Sequence, residues 1–397
     1  MQRHFVIRLV AVMLVAIPLA WMTFAFSLSL LLARSNPSVA LRFWSGNSIA
    51  RAGLADQLVA EAPAAPPAEA RLQALEALRE DPGNAVAARV LGTTAGTAGS
   101  ITGLERWLAY SERYSRRDVS TQFGLIELAV SQGQIAGALA HYDRALRVFA
   151  PLPQILDVLV GATKDAPVRQ QLAALLRRQP PWRQGYLIQL VESGHAPPDA
   201  VFAMLRLLRL DPADAFDRRI LGEAVSLLAA RNLVPEARAL VGISGSGVRN
   251  GGFEAGNDYP PLDWRLADQP DLTGVIEQGS RAGGGNALFL DVHNDASGIV
   301  AEQLLSLAAG RYALSLVAGG IGTGGAMPAI SVMCLEGAMP LASVALPTKA
   351  DAVAVSIPAF TVTKDCPAQQ LTITATAATD TSAPRSWIDD VKVVPVP

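Results

Sequence analysis

The spacing of apolar residues changes near residue 242, and this change constrains the fold more than any other feature. From Ala68 to Gly242, apolar residues recur every three or four positions, which predicts helices. Beyond Gly242–Gly247, the apolar runs are short, rich in Val, Ile, Leu and Thr, and separated by Gly, Pro, Asn and Asp. Such runs predict an all-β sandwich. We therefore expect a helical region at 68–242, a hinge at 243–249 and a β-sandwich at 250–397.

The first apolar segment is long enough to cross a bilayer. Leu9–Ala33 contains no charged residue, and at 1.5 Å per residue it spans a hydrocarbon core of about 30 Å. A cleaved signal peptide has a shorter apolar region that ends at a small-x-small site, whereas Leu31 stands where the first small residue should be. We expect an uncleaved single-pass anchor, with the cytoplasmic tail and the transmembrane helix in residues 1–34 and the membrane contact at 9–33.

The positive charges on the two sides of this anchor are nearly equal in number and do not decide its orientation. Arg3 and Arg8 precede the span, and Arg34, Arg42 and Arg51 follow it. Long downstream domains cross membranes largely regardless of flanking charge. We therefore expect the short tail in the cytoplasm and the bulk of the chain in a periplasm-like space outside an inner membrane. Residues 35–67 are expected to form a membrane-proximal segment that ends in an extended Ala/Pro linker, Glu61–Ala70.

Two segments of the helical region repeat each other. "LREDPGNAVAARVLG" (Leu78–Gly92) and "LRLDPADAFDRRILG" (Leu208–Gly222) share Leu, Arg, Asp-Pro, Ala, Arg and Leu-Gly at identical offsets. In each, Asp-Pro is expected to end one helix and to open the next. "GTTAGTAGSITG" (Gly92–Gly103) interrupts the helical pattern and is expected to be a loop.

A third segment, "FGLIELAVSQGQIAGALAHYDRALRVFAP" (Phe123–Pro151), resembles a tetratricopeptide (TPR) repeat closed by Pro151. The residues at its packing positions are Leu125, Ala129, Gly133, Ala138, Tyr142 and Ala145. The resemblance implies a solenoid whose concave face binds a protein or peptide. An ordinary helical bundle is the alternative.

The C-terminal region resembles the jelly-roll carbohydrate-binding modules of bacterial xylanases and cellulases, over Asn250–Val394. The resemblance rests on "NGGFEAG", "GIVAEQLLSLAAGRYALSLVA" and "SWIDDVKV". It implies a structural Ca²⁺ held by Glu254 and Asp390, with Asp389 next and backbone carbonyls near Gly252; the alternative is that Glu254 caps a turn and that Asp389 and Asp390 are solvated. Facing carboxylates without a cation would repel, and one would take up a proton, whereas Ca²⁺ is bound by six to eight oxygens.

Sugar binding by such modules uses exposed aromatic rings. The candidates here are Tyr259, Trp264, Tyr312, Phe360 and Trp387, and of these Tyr259, Trp264 and Trp387 are proposed to contact sugar. The resemblance to such modules implies that Trp264 belongs in the core more readily than on a ligand platform. The central runs "AISVMCLEG" and "QQLTITATA" carry no aromatic residue, which departs from the glycan-binding pattern. Polysaccharide is therefore the alternative partner.

Cys334 and Cys366 are the two cysteines of the chain, and both fall in the sandwich. A pair in an oxidising compartment favours a disulfide, and two buried free thiols are the alternative.

Other functional classes find little support in the composition. The net charge of −2 argues against a nucleic-acid partner. No nucleophile-elbow, zinc-protease or Walker motif occurs, and the helix carboxylates form no evident catalytic pair. We expect a non-catalytic scaffold or adaptor in cell-envelope or exopolysaccharide assembly. A glycan-binding receptor is the alternative, and a hydrolase accessory protein is the third hypothesis.

Overall fold

The computed structural model describes residues 2–148, 153–245, 247–278, 285–322, 326–377 and 384–397, with the backbone alone for residues 2–11. Contacts divide the chain into two compact units. The first comprises Met1–Val158 and Ala174–Gly185, and the second comprises Leu159–Ala173 and Tyr186–Pro397. The division does not follow the change from helix to strand, because the last helices belong with the sandwich.

Helices occupy most of the chain up to Leu240, as the apolar spacing predicts. They are α1 (Gln2–Leu32), α2 (Pro37–Phe43), α3 (Ser48–Glu61), α4 (Ala68–Glu80), α5 (Ala85–Thr97), α6 (Ile101–Tyr114), α7 (Val119–Ser131), α8 (Ile135–Val148), α9 (Pro153–Ala162), α10 (Ala166–Leu176), α11 (Arg183–Glu192), α12 (Pro198–Leu208), α13 (Ala215–Ala229) and α14 (Val234–Leu240). Helices α1 to α8 lie in the first unit, α12 to α14 lie in the second, and α9 to α11 have residues in both.

Helix α1 contains a stretch, Val12–Leu32, that is long and apolar enough to cross a membrane. Its C-terminal end is part of the helical fold. Ala33 packs with Ala40 of α2 and Ala50 of α3. The side-chain amide of Asn47 donates a buried hydrogen bond of 2.9 Å to the hydroxyl of Ser29. The membrane-proximal segment is therefore a pair of packed helices.

The Ala/Pro stretch Glu61–Ala70 is a turn between packed helices and not an extended spacer. Helix α3 ends at Glu61, α4 begins at Ala68, and alanines such as Ala55 and Ala74 form a common buried core. Small side chains let the two helices approach closely, and this tertiary contact outweighs the stiffness of the Pro-rich sequence.

The loop expected at Gly92–Gly103 is wrong at both ends, because α5 continues to Thr97 and α6 begins at Ile101. The hydroxyl of Thr93 donates to the carbonyl of Arg89, and that of Thr97 to the carbonyl of Thr93. These bonds keep the polar side chains within the helix. The break is confined to Ala98–Ser100, where the Ser100 hydroxyl caps α6 by accepting from the Gly103 N–H.

The two repeated Asp-Pro segments fold into the same turn. Asp81 accepts a hydrogen bond of 2.9 Å from the Gly83 N–H, and Asp211 accepts one of 2.9 Å from the Ala213 N–H. Three residues after each of these aspartates, Asn84 and Asp214 cap the helix that follows. The identical offsets therefore encode an identical local structure.

Helices α7 and α8 form the hairpin that resembles a TPR repeat. Four of the six predicted packing residues are buried: Leu125, Ala129, Ala138 and Ala145. Gly133 has a φ of +68° in the turn, and Tyr142 is half-buried, which raises its pKa. Pro151 lies outside the described residues. The helical character of the region is confirmed, and its assignment to the TPR family stays a prediction.

The second unit contains a sandwich of two antiparallel sheets. Its strands are β1 (Arg265–Leu266), β2 (Asp268–Gln269), β3 (Leu272–Gln278), β4 (Asn286–Val292), β5 (Ser297–Leu305), β6 (Gly310–Gly319), β7 (Met327–Cys334), β8 (Pro340–Ala345), β9 (Val353–Val362), β10 (Gln369–Thr376) and β11 (Ser386–Pro395). The five-stranded sheet has the order β1-β5-β10-β7-β8, and the six-stranded sheet has the order β2-β3-β4-β11-β6-β9. The predicted all-β domain is confirmed at this level.

The core lies between the sheets, and alternation along the strands sets which side chains enter it. On β10, Leu371 and Ile373 are fully buried in the core, so Thr372 lies on the opposite face. Cys334 at the end of β7 and Cys366 before β10 form the predicted disulfide, with their Cα atoms 5.6 Å apart.

Candidate functional site

The corner at "NGGFE" joins the start of the sandwich to its last strand. The N–H of Val391 donates to the carbonyl of Gly251 at 2.9 Å, and the indole N–H of Trp264 donates to the carbonyl of Asn250 at 3.0 Å. Asn250 and Phe253 adopt φ values of 48° and 58°. A Cβ on Gly251 would collide with the carbonyl oxygen of Val391, which explains the glycine. The two ends of the domain therefore meet.

The predicted calcium ligands are only partly brought together at this corner. Oδ1 of Asp389 and Oδ1 of Asp390 each lie 3.8 Å from the position that a Cβ on Gly252 would occupy, and both aspartates make further interactions. Glu254 instead accepts a hydrogen bond of 2.8 Å from the Asn286 N–H. Among the described residues, no group of three or more His, Cys, Asp or Glu side chains is arranged to hold a metal. The calcium site stays a prediction.

The three aromatic residues proposed to contact sugar are all buried. Trp264 is 1% exposed and packs against Phe253, with ring centroids 5.4 Å apart. Tyr259 is 8% exposed and Trp387 is 7% exposed. Trp387 lies opposite Phe289 in the six-stranded sheet. None of the three rings presents an open face on which a sugar could stack, so a saccharide site must use other groups.

A row of polar side chains instead crosses the outer face of the five-stranded sheet. Its members are directly opposed on neighbouring strands, and we call them the polar row: Arg265, Glu302, Thr372, Ser331 and Ser343. Because opposed residues in antiparallel strands share a face, the five side chains line one path across the sheet.

Hydrogen bonds hold the polar row in place. Arg265 pairs with Glu302 at 2.9 Å, and the Gln370 side chain donates to the other Glu302 oxygen at 2.6 Å. The hydroxyls of Ser331 and Thr372 lie 2.6 Å apart. These contacts fix the donors and acceptors before any ligand arrives, which reduces the entropy lost on binding.

At its Arg265 end the polar row enters an open cleft of about 430 Å³, which we call the arginine cleft. One wall is a face of α13 and the other is the loop that precedes β1. The polar side chains lining it are Arg218, Arg219, Glu223, Ser226, Asn257, Asp258 and Arg265. Within the described parts of the chain, the guanidinium groups of Arg218 and Arg219 have no carboxylate partner, although Arg219 lies over the Phe216 ring at 5.4 Å.

A buried network holds the loop wall of the arginine cleft. Asp263 is 1% exposed; one of its oxygens binds Arg249 at 2.7 Å and the other accepts from the Tyr259 N–H at 2.9 Å. The Gln303 side chain exchanges two hydrogen bonds with the backbone of Arg249. The hydroxyl of Ser226 on α13 donates to the Pro260 carbonyl at 3.2 Å. The two walls are thus joined directly.

Burial, followed by the charge of Asp258, raises the pKa of Tyr259, which stands in the loop beside the cleft. The arginine cleft therefore combines guanidinium donors, carboxylate acceptors, an amide and hydroxyls in one place. A guanidinium group can donate to, and a carboxylate can accept from, two neighbouring hydroxyls of a bound molecule.

Sequence reasoning did not find the arginine cleft, because its residues come from α13, from a loop and from β1. One signal was present in the internal repeat, where Arg219 stands at the offset occupied by Arg89. Arg89 is 9% exposed and paired with carboxylates, whereas Arg219 is exposed. Arg219 thus keeps its place in the repeat but lacks the buried carboxylate pairing of Arg89.

The first unit offers a second candidate surface, a groove of about 640 Å³ that we call the helical groove. Its apolar lining includes Val59, Leu104, Leu108 and Phe123, and its rim carries Ile101, which is 64% exposed. Exposed apolar side chains around a groove are typical of surfaces that bind another protein.

Arg89 closes one side of the helical groove. It binds both oxygens of Asp56 at 2.8 and 2.9 Å and Asp118 at 3.0 Å. Burial lowers the pKa of Arg89, but the hydrogen bond to Asp56 and the charge of Asp118 outweigh that effect and raise it overall. Asp118 also accepts from the Thr121 hydroxyl, which contacts Ser111 at 2.7 Å. This network ties α3, α5, α6 and α7 together around the groove.

Comparisons with known proteins find similarity to solved structures. No family model matches the chain, and no curated protein matches it. The C-terminal sandwich resembles carbohydrate-binding modules. The structure of TmCBM61 in complex with β-1,4-galactotriose is 20% identical, covers 38% of this chain and 100% of that one, and has a TM-score of 0.29.

Two further structures are similar over the same share of the chain. A CBM4 structure is 16% identical over 38% of this chain and 99% of that one, with a TM-score of 0.28. A putative sugar-binding protein from Bacteroides thetaiotaomicron is 12% identical over 38% of this chain and 100% of that one, with a TM-score of 0.30. What the present protein binds has to be argued from its own surfaces.

Proposed function

We propose that the protein is a membrane-anchored, non-catalytic saccharide-binding protein that acts outside the cytoplasm, in cell-envelope or exopolysaccharide assembly. The observation that carries this proposal is the arginine cleft, which is continuous with the polar row. Both present fixed donors and acceptors; the arginine cleft is open to solvent, whereas in the polar row Thr372 is buried and Glu302 and Ser331 are partly exposed. A saccharide carries many neighbouring hydroxyls, and such a surface binds them through paired hydrogen bonds.

The anchor is supported by the packing of α1. Ser29 and Ala33 are fully or almost fully buried, and Ser29 contributes a buried hydrogen bond to Asn47. Cleavage near Ala33 would remove these contacts from the mature protein. Retention of α1 as a membrane span is therefore the arrangement that keeps the helical unit intact.

Location outside the cytoplasm is supported by the Cys334–Cys366 disulfide, because structural disulfides form and persist in oxidising compartments. Together with the long chain that follows α1, it favours a periplasmic body on an inner-membrane anchor. The same reasoning assigns the N-terminal tail to the cytoplasm.

A second function, as an adaptor for a protein or peptide partner, is favoured by the helical groove. Its floor is apolar, and Ile101 and Phe123 remain exposed beside it. The two functions are compatible, since the groove and the arginine cleft belong to different units. An adaptor would bring a protein partner to a saccharide.

A glycan array probed with the detergent-solubilised full chain tests the leading proposal. We expect saccharide binding that is lost in Arg218→Gln/Arg219→Gln and retained in the control Arg231→Gln, an exposed arginine outside the cleft lining. Binding by neither wild type nor control would contradict the proposal. Release of new reducing ends from bound saccharides would show catalysis and would contradict its non-catalytic part.

A further inference from the structure

The segment that follows the membrane span is basic and carries no acidic residue. The first carboxylate side chain of the sequence is Asp56, whereas Arg34, Arg42 and Arg51 all precede it. Arg51 is engaged by Glu76 and Gln73. Arg34 and Arg42 are exposed, and within the described residues neither contacts a carboxylate. Two free guanidinium groups therefore face solvent beside a membrane anchor.

The loop between α2 and α3 folds back along α1 towards the membrane. The rings of Trp44 and Phe26 meet edge to face, with centroids 5.6 Å apart. Asn47 donates its buried hydrogen bond to Ser29. Ala25 on the same part of α1 is also buried, at 3% exposure. The loop Trp44–Asn47 is thus held beside Ala25–Ser29, one to two helical turns before the end of α1.

This contact sets the depth of the loop. From Leu9, where the uncharged stretch begins, α1 rises about 24 Å to Ala25 and about 30 Å to Ser29, at 1.5 Å per residue. A hydrocarbon core is about 30 Å thick. The level of Trp44 and Asn47 therefore coincides with the outer boundary of the hydrocarbon, which is the layer where Trp side chains are enriched in membrane proteins.

Apolar side chains at this level remain uncovered. Phe26, Leu30, Leu31 and Ile49 are each more than 40% exposed, and Leu31 is 77% exposed. The exposed apolar side chains suit the boundary between the acyl chains and the headgroups, and the free arginines suit the charged headgroups above it. The surface is continuous with the membrane span, so its occupant is the same bilayer.

We infer that α2 and the start of α3, residues 34–49, dock onto the lipid headgroup layer and bind anionic phospholipid through Arg34 and Arg42. This inference rests on the proposed anchor. It adds to the membrane-spanning helix a second membrane contact, residues 34–49, which we call the interfacial foot. The foot holds the helical unit in one orientation on the bilayer, because the Ser29–Asn47 bond and the alanine cluster prevent α2 from turning independently of α1.

Nitroxide depth measurements on the full chain in proteoliposomes test the inference. The native cysteines form a disulfide, so a single introduced cysteine is labelled uniquely. The probe is Ile49→Cys, the span reference is Val15→Cys, and the matched control is Val130→Cys, an exposed apolar position on α7. Collision rates with oxygen and with a water-soluble nickel complex report the depth of each label.

In liposomes containing phosphatidylglycerol, we expect Val15→Cys in the hydrocarbon, Ile49→Cys in the headgroup layer and Val130→Cys in water. Replacing Arg34 and Arg42 by Gln should lower the equilibrium constant for docking of the segment onto the headgroup layer about fivefold per arginine. Replacing phosphatidylglycerol by phosphatidylcholine should have the same effect. An Ile49 label as water-exposed as Val130, with Val15 still in the hydrocarbon, would overturn the foot and leave the anchor. A water-exposed Val15 label would overturn the anchor and the foot together.

Discussion

Replacing Arg89 by Leu should loosen the whole wall of the helical groove. The guanidinium joins Asp56 on α3 to Asp118 at the start of α7 through three hydrogen bonds. Breaking a buried ion pair by removing one partner costs about 3–5 kcal/mol. The Asp56 side chain is 40% exposed and Asp118 is 14% exposed. Because water can solvate Asp56, we expect a smaller loss of about 2–3 kcal/mol in local stability.

Hydrogen exchange of the backbone amides measures this loss directly, because it resolves local opening within one part of a chain. A loss of about 2–3 kcal/mol corresponds to roughly 30- to 150-fold faster exchange in α5 and α7, with peptides of the sandwich unchanged as an internal reference. Arg106→Leu on α6, an exposed arginine, is the matched control and should change exchange little.

A second variant checks the physical cause. Asp118→Asn, added to Arg89→Leu, removes the carboxylate charge that the first change leaves uncompensated and keeps an oxygen to accept from Thr121. We expect it to restore part of the protection. The reasoning is refuted if Arg89→Leu exchanges like wild type, if Arg106→Leu loses as much protection, or if Asp118→Asn adds a further full loss.

Four further predictions follow from individual contacts. The intact mass of the mature protein should correspond to a chain that retains the residues up to Ala33, because Ala33 packs in the fold; a mass that corresponds to a chain beginning after Ala33 would contradict this. Alkylation without reductant should leave Cys334 and Cys366 unmodified, and their reduction should destabilise the sandwich by about 3–4 kcal/mol in the chain-entropy model; two alkylated thiols in the native protein would refute the bond. Thermal melting of the full chain should show a higher midpoint with calcium than with chelator, and Glu254→Gln should remove the difference; equal midpoints in the wild type would leave the metal without support. Burial, partly offset by the charge of Glu112, lowers the pKa of His141 below its usual 6.5, so stability should fall as the pH drops below about 6.5; a flat response, or an equal fall in His141→Gln, would contradict this assignment.

Local patterns in the sequence predicted the parts of the fold that depend on neighbouring residues. The Asp81 and Asp211 turns and the strands after Arg265 reflect short motifs whose geometry is set within a few residues. The disulfide was predicted because Cys334 and Cys366 both fall in the sandwich and were expected in an oxidising compartment.

Tertiary contacts account for what the sequence did not predict. Helix α5 runs through a Gly/Thr stretch because Gly96 lets it pack closely against Leu104 of α6, while the hydroxyl of Thr97 finds an acceptor on the helix backbone. Asn47 lies in an unremarkable segment, and its importance appears only when it meets Ser29. The arginine cleft needs Arg218 and Asn257 on separate elements. No spacing rule connects such positions in advance.

Titration calorimetry on the full chain measures whether the arginine cleft binds saccharide. The best ligand from the glycan array is titrated into wild type, Arg218→Gln/Arg219→Gln and Arg231→Gln. A hydrogen bond to a charged group contributes about 1.5–3 kcal/mol, so losing even one should weaken binding at least tenfold. We expect this loss of affinity in Arg218→Gln/Arg219→Gln and not in Arg231→Gln. Equal affinity in all three proteins would contradict it.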